Sequence, residues 1–159
     1  MSSRSRDLKF WISAWLPVLI GILLITREST PAFGTDRTDH PLRWLFQLIF
    51  GTLSDSTWGL IHHIIRKGGH FIGYGLIGLT WLRAWWMTYP RLRFLSATVE
   101  SLLSTALLAT WDEWHQSFLP NRGSSPWDVL LDCCGATGAY LLVYWWLRIY
   151  RPERLGRVA

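Results

Sequence analysis

Three stretches of this chain carry almost no charge over the length a helix needs to cross a bilayer. Phe10 to Thr26 is uncharged over 17 residues, Glu100 is the only charge between Phe94 and Trp111, and Cys133 to Leu147 has none. A hydrocarbon core about 30 Å thick takes roughly 20 predominantly apolar residues as a helix. A fourth region, Trp58 to Met87, is quieter still at its centre: from Gly68 to Leu82 the only titratable side chains are His70 and Tyr74. Together these runs predict an all-α integral membrane bundle of four transmembrane helices, with spans at Phe10–Thr26, Trp58–Met87, Phe94–Gln116 and Pro126–Tyr150. Pro17 is tolerable inside a span, where it kinks the helix. A signal peptide is the competing reading of the basic start and first apolar run. The residues that follow offer no clear small-x-small cleavage site, which favours a retained span.

Between the first two spans, Pro41 to Phe50 is apolar but too short to cross. It reads as a short interfacial helix, with Asp39 or Thr38 as cap and Pro41 in its first turn. Trp81, Trp85 and Trp86 form an aromatic belt at one end of the second span. Gly68, Gly69, Gly73, Gly75 and Gly78 are small residues that let neighbouring helices approach. The 159 residues allow one domain, 1–159, with no internal repeat. Half of them are hydrophobic and 12 are Trp, yet the mean hydropathy is only +0.16. That combination describes apolar spans joined by polar segments. Cys133 and Cys134 are adjacent inside a span and read as small buried side chains.

The net charge of +5 is not gathered into one patch, as nucleic acid would require, but sits at the ends of the apolar runs. With a cytoplasmic N-terminus, Arg4, Arg6, Lys9, Arg83, Arg91, Arg93, Arg148, Arg151, Arg154 and Arg157 lie inside. Arg27, Arg37, Arg43, Arg66, Lys67 and Arg122 lie outside. The ten-to-six bias favours both termini in the cytoplasm.

That orientation delivers the polar groups of four helix ends to one membrane level. They are Glu28 and Ser29, then Arg66, Lys67 and His70, then Asp112 to Gln116, then Arg122 to Asp132. Ionisable groups at the edge of an apolar span are costly, and persist where they pair, face a bundle interior or bind something. Lys67, His70 and Tyr74 fall on one helical stripe, and Asp112/Gln116 and Asp128/Asp132 are each four apart. Asp128 has a structural alternative, a capping box behind Ser124 or Ser125 with Pro126 just inside. Asp132, a turn deeper, reads as the partner of Lys67 or Arg122. His62 and His63 fall on an outer loop and read as solvated.

Three segments carry a resemblance: R-K-G-G-H-F-x-x-Y at Arg66–Tyr74, D-E-W-H-Q-S-F-L-P-N-R at Asp112–Arg122, and S-x-x-D-V-L-L-D-x-x-G-A at Ser125–Ala136. In this order and spacing they resemble the VanZ-like family over roughly residues 8 to 150. These are small bacterial integral membrane proteins named for a member linked to teicoplanin resistance. The resemblance implies a multi-pass protein of the bacterial inner membrane, with Lys67, His70, Asp112, Glu113, Gln116, Arg122 and Asp128 as signature polar positions. One departure stands out: the family often has Glu before the Tyr of the second helix, where this chain has Gly73.

The residues open three functional classes. In the first, the outer-face site made of Lys67, His70, Tyr74, Asp112, Glu113, Gln116, Arg122, Asp128 and Asp132 binds an anionic lipid or cell-envelope precursor. Arg66, Lys67 and Arg122 would hold its phosphate or carboxylate. In the second, the protein is an enzyme with Glu113, His70 and Asp112 as candidate acid/base residues. The third is transport or proton relay along carboxylates, which Glu100, alone near the other face, supports weakly. Binding is the favoured class. No cofactor motif is present, and no metal-ligand spacing supports a site on His70, His115, Asp112 and Asp132. In intact cells, a cysteine at position 122 (R122C) is expected to react with an impermeant maleimide added outside, while R91C stays protected. The reverse labelling would overturn the outer-face assignment.

Overall fold

The computed structural model describes residues 7–30, 35–89, 91–119 and 124–155. Among these the chain is helical, with no strand. Helix α1 spans Leu8–Glu28, α2 Thr35–Phe50, α3 Asp55–Thr88, α4 Phe94–Gln116 and α5 Pro126–Tyr150, and a short 3-10 turn follows at Pro152–Arg154.

The helix starts follow from side chains that satisfy orphan backbone donors. The Phe10 N–H donates to Asp7 at 2.9 Å. The Thr57 N–H donates to Ser54 at 3.2 Å, and the Trp127 N–H to Ser125 at 3.2 Å. Pro126 occupies the first turn of α5, where its missing N–H costs nothing. Gly51 takes a φ of 78° in the turn that ends α2, a conformation that suits glycine. α1 runs through Pro17 without interruption.

Three helices, α1, α4 and α5, are long and apolar enough to cross a membrane. Leu19 and Leu23 of α1, Leu107 of α4 and Leu142 of α5 point away from the bundle and are exposed. An outward apolar surface of this kind suits hydrocarbon rather than water. The expectation of four spans and an interfacial helix is thus met in its coarser form, an all-helical membrane-type bundle.

α3 packs against α1, α4 and α5. It runs antiparallel to α1: Trp15 packs edge-on against Trp81 and Trp85 near one end, and Ile25 meets Gly73 towards the other. α4 is also antiparallel to it, whereas α5 is parallel. The α3–α5 approach is the tightest in the bundle. A Cβ on Gly135 would lie 2.1 Å from the Phe71 carbonyl oxygen, and one on Gly78 2.9 Å from the Ala136 Cβ. Gly75 faces the Gly135 carbonyl at 3.2 Å. Of the five glycines singled out in α3, Gly75 and Gly78 make this approach and Gly73 makes an ordinary contact. Gly68 and Gly69 have nothing within 4 Å.

The structure corrects the reading of residues 35 to 67. α3 begins at Asp55 and is 34 residues long, about 50 Å at 1.5 Å per residue. Its first turns run past the level at which α5 begins, and α2 packs along them. Trp58 Nε1 donates to Asp39 at 2.6 Å, and Arg43 pairs with Asp55 at 2.6 Å. α2 starts at Thr35 rather than at Pro41, so Thr38 and Asp39 serve as contacts to α3 and not as caps. His62, expected in water, is buried under α2. It stacks on Trp58 with ring centroids 5.5 Å apart and lies 3.1 Å from the Thr38 hydroxyl. His63 is exposed as expected.

The glycine contacts give a paired prediction. Gly135→Ala places a methyl against backbone that cannot yield and is expected to destabilise by about 1–3 kcal/mol or more, as overpacking does. Gly68→Ala meets open space and gains helix propensity, so its melting temperature in detergent should hold or rise. Equal melting of the two variants would contradict the α3–α5 contact.

Candidate functional site

α4 ends with Asp112 and Gln116 on one face, both buried. Three side chains from three helices converge on the Asp112 carboxylate. Gln116 Nε2 donates to Oδ2 at 2.9 Å, and the Tyr74 hydroxyl of α3 donates to the same oxygen at 3.2 Å. The Ser29 hydroxyl, at the end of α1, sits against Oδ1. Gln116 Nε2 also reaches the Ser29 hydroxyl at 3.4 Å. A carboxylate taken out of water is costly unless its oxygens are hydrogen-bonded. Here the donors come from α1, α3 and α4, so the charge is satisfied only when the three helices are assembled.

Two rungs join the parallel helices α3 and α5. Lys67 Nζ pairs closely with Asp128 Oδ1. One turn deeper, His70 Nδ1 lies 3.5 Å from Asp132 Oδ1. The rungs form because Lys67/His70 and Asp128/Asp132 are spaced by one turn on helices that run the same way. Lys67 and Asp128 are partly exposed, whereas Asp132 is 0% exposed and neither of its oxygens has a hydrogen-bond partner among the described residues. The His70 ring stacks on Tyr74 with centroids 6.2 Å apart, which ties the deeper rung to the Asp112 network.

Glu113 takes a third role. Its Oε2 accepts the Ser125 N–H at 2.8 Å, while Oε1 is buried without a partner among the described residues. The expected capping box is therefore half right. Ser125 caps α5, but the acid that covers the Ser125 N–H is Glu113 from α4, and Asp128 turns to Lys67 instead. Asp132 does not pair with Lys67, because Lys67 is already spent on Asp128 a turn nearer the helix end. Arg122, expected to hold the ligand's anion or to pair with Asp132, lies outside the described residues. His115 stacks on Trp111 with centroids 5.8 Å apart. Among the described residues no three His, Cys, Asp or Glu side chains are grouped to hold a metal ion.

Two cavities lie at the network. The inner one, of about 20 Å³, is lined by Ser29, His70, Tyr74, Asp112 and Gln116, and is large enough for a water molecule. The outer one, of about 190 Å³, is lined by Thr38 and Leu42 of α2 and by Ile65, Arg66, Gly69 and His70 of α3. Glu28, Gly69 and His70 border both.

Ser29 is the site residue that sequence reasoning passed over. It was placed at the right membrane level but not among the binding residues. Its signal was weak: a lone hydroxyl just beyond the charged end of a long apolar run.

The network ranks three substitutions by stability. Asp112→Ala strands the donors of Ser29, Tyr74 and Gln116 and is expected to cost about 3–5 kcal/mol, the range for breaking a buried charged interaction. Tyr74→Phe removes one bond to a charged acceptor and should cost about 1.5–3 kcal/mol. Asp128→Asn, at the partly exposed rung, should cost under about 1 kcal/mol. Thermal melts in detergent check the order, and a Tyr74→Phe variant that melts like the parent would mean that the Tyr74 bond is absent.

No curated protein and no solved structure matches this chain. A model of the VanZ/LLP1 family matches residues 13–148. The matched stretch contains every residue of the Asp112 network and both rungs, so it covers the site as well as the bundle, and the chain belongs to the VanZ/LLP1 family.

Proposed function

We propose that this is a multi-pass protein of the bacterial inner membrane that recognises the headgroup of an anionic lipid or cell-envelope precursor at the polar end of its bundle. α3 serves as the fourth span. α2 lies in the interface, where its exposed Trp44, Leu48, Ile49 and Phe50 meet the acyl boundary. Both termini are cytoplasmic and the Asp112 network faces outward.

The observation that carries this reading is the cavity of about 190 Å³ beside the network. Its lining combines the cationic or donor groups of Arg66 and His70 with the Glu28 carboxylate and the apolar side chains of Leu42 and Ile65. That pairing suits an amphiphile whose phosphate or carboxylate meets the guanidinium while its apolar part leaves along α2. Lys67, first counted as a holder of the anion, is committed to Asp128. Arg66 lines the cavity itself.

One observation favours catalysis at the same place. His70 points Nδ1 at the fully buried Asp132, and a buried carboxylate commonly orients an imidazole for proton transfer. Under this second reading His70 is the acid/base group and Asp132 positions it.

Native mass spectrometry of detergent-purified protein separates the two. Binding predicts a co-purifying anionic amphiphile whose retention falls about tenfold in Arg66→Ala, equivalent to about 1.4 kcal/mol, and also falls in His70→Asn. Catalysis predicts that His70→Asn keeps the ligand and accumulates it unconverted. Undiminished retention in Arg66→Ala would overturn the headgroup assignment. Teicoplanin susceptibility of cells expressing the parent and Arg66→Ala tests the family-linked phenotype alongside.

A further inference from the structure

We infer that the opposite end of the bundle holds a second site, a groove between α1, α3 and α5 that binds one anionic glycerophospholipid with its phosphate between Arg83 and Arg154. The inference rests on the membrane reading of α1, α4 and α5 and is independent of the ligand at the Asp112 end.

The groove has a volume of about 600 Å³, within the roughly 300–1,000 Å³ of ordinary small-ligand sites. Its floor is apolar, with Leu79, Leu82 and Val143, and Trp86 stands beside the two arginines. Tryptophan sits by preference at the membrane–water interface. Trp86 therefore sets the arginines at headgroup depth and Leu79 and Val143 at acyl depth.

Among the described residues neither guanidinium pairs with a carboxylate, and that of Arg83 is held in place. Arg83 donates to the Ser13 carbonyl at 2.5 Å and to the Ser13 hydroxyl at 3.1 Å. These contacts use two of the five N–H groups of a guanidinium and leave the others for a ligand. Arg154 is brought to the groove by the 3-10 turn after α5, whose next residue, Leu155, packs against the core cluster of Leu82, Phe94 and Tyr140.

Topology alone explains basic residues in water beyond the helix ends. It does not explain two of them lining an apolar groove without acids. A second groove, of about 540 Å³ between α4 and α5, has one arginine, Arg93. Paired guanidiniums with an apolar floor match a phosphodiester that carries acyl chains, by charge and by shape.

The test adds phosphatidylglycerol or phosphatidylcholine to delipidated full-length protein and counts retained lipids by native mass spectrometry. One phosphatidylglycerol is expected to be held about tenfold more tightly than phosphatidylcholine. Arg83→Gln with Arg154→Gln should abolish that preference, and the double lysine variant should keep part of it. Arg93→Gln, in the separate groove between α4 and α5, should leave it unchanged, which separates loss of this site from a general loss of basic charge. Melting temperatures show that each variant is folded, and if the glutamine pair does not fold, Arg154→Gln alone is expected to reduce the preference. Equal retention of both lipids, or a preference that survives in the glutamine variant, would mean an annular lipid only and would overturn the proposal.

Discussion

The polar end of this protein depends on a contact that involves no polar side chain. At Gly135 the backbone of α5 comes so close to Phe71 of α3 that a single methyl would collide with the carbonyl. Helices in lipid gain little from hydrophobic burial against each other, so close packing through small residues does much of the joining. This approach fixes the register of two parallel helices. Register then decides which acid meets which base: Lys67 with Asp128, and His70 with Asp132 one turn on. A shift of one turn would put Asp132 opposite Lys67 and leave His70 facing apolar side chains.

The charges that this register aligns are distributed unevenly. Asp112 collects donors from three helices, while Asp132, equally enclosed, has no hydrogen-bond donor among the described residues and faces the His70 imidazole. A satisfied buried carboxylate holds structure together. One that lacks donors costs free energy. The Tyr74 hydroxyl reaches Asp112 and the His70 imidazole stacked beside it faces Asp132, so the two rings join the satisfied acid to the unsatisfied one.

Much of this was legible in the sequence, for identifiable reasons. The limits of α4 and α5 agree with the expected spans because charged or proline-containing segments bracket both runs. The membrane class followed from uncharged length, and the family from three motifs that turned out to face one another. The pairings were not legible. Lys67 to Asp128 and His70 to Asp132 require that α3 and α5 run parallel with their stripes opposed, and no local pattern states that. α2 was read short because Pro41 marks a first turn more often than an interior position, and contacts with α3 override that preference here. His62 was misplaced as a consequence, since nothing local shows that α2 would cover it. Gly135 stands in the third motif, but no local pattern shows that this single glycine of α5 meets the α3 backbone.

The unbroken course of α3 has a mechanical consequence. Arg66 and Arg83, which line the two pockets, are 17 residues apart on one helix, a fixed separation of about 25 Å at 1.5 Å per residue. An average hydrocarbon core is about 30 Å thick. On the proposed reading of α3 as the fourth span, an arginine separation shorter than the layer makes the two surfaces draw together or the arginines reach outward, at a modest cost per ångström of mismatch. On that reading, local membrane thickness acts on both arginines at once, transmitted along the helix axis without any change in its internal conformation.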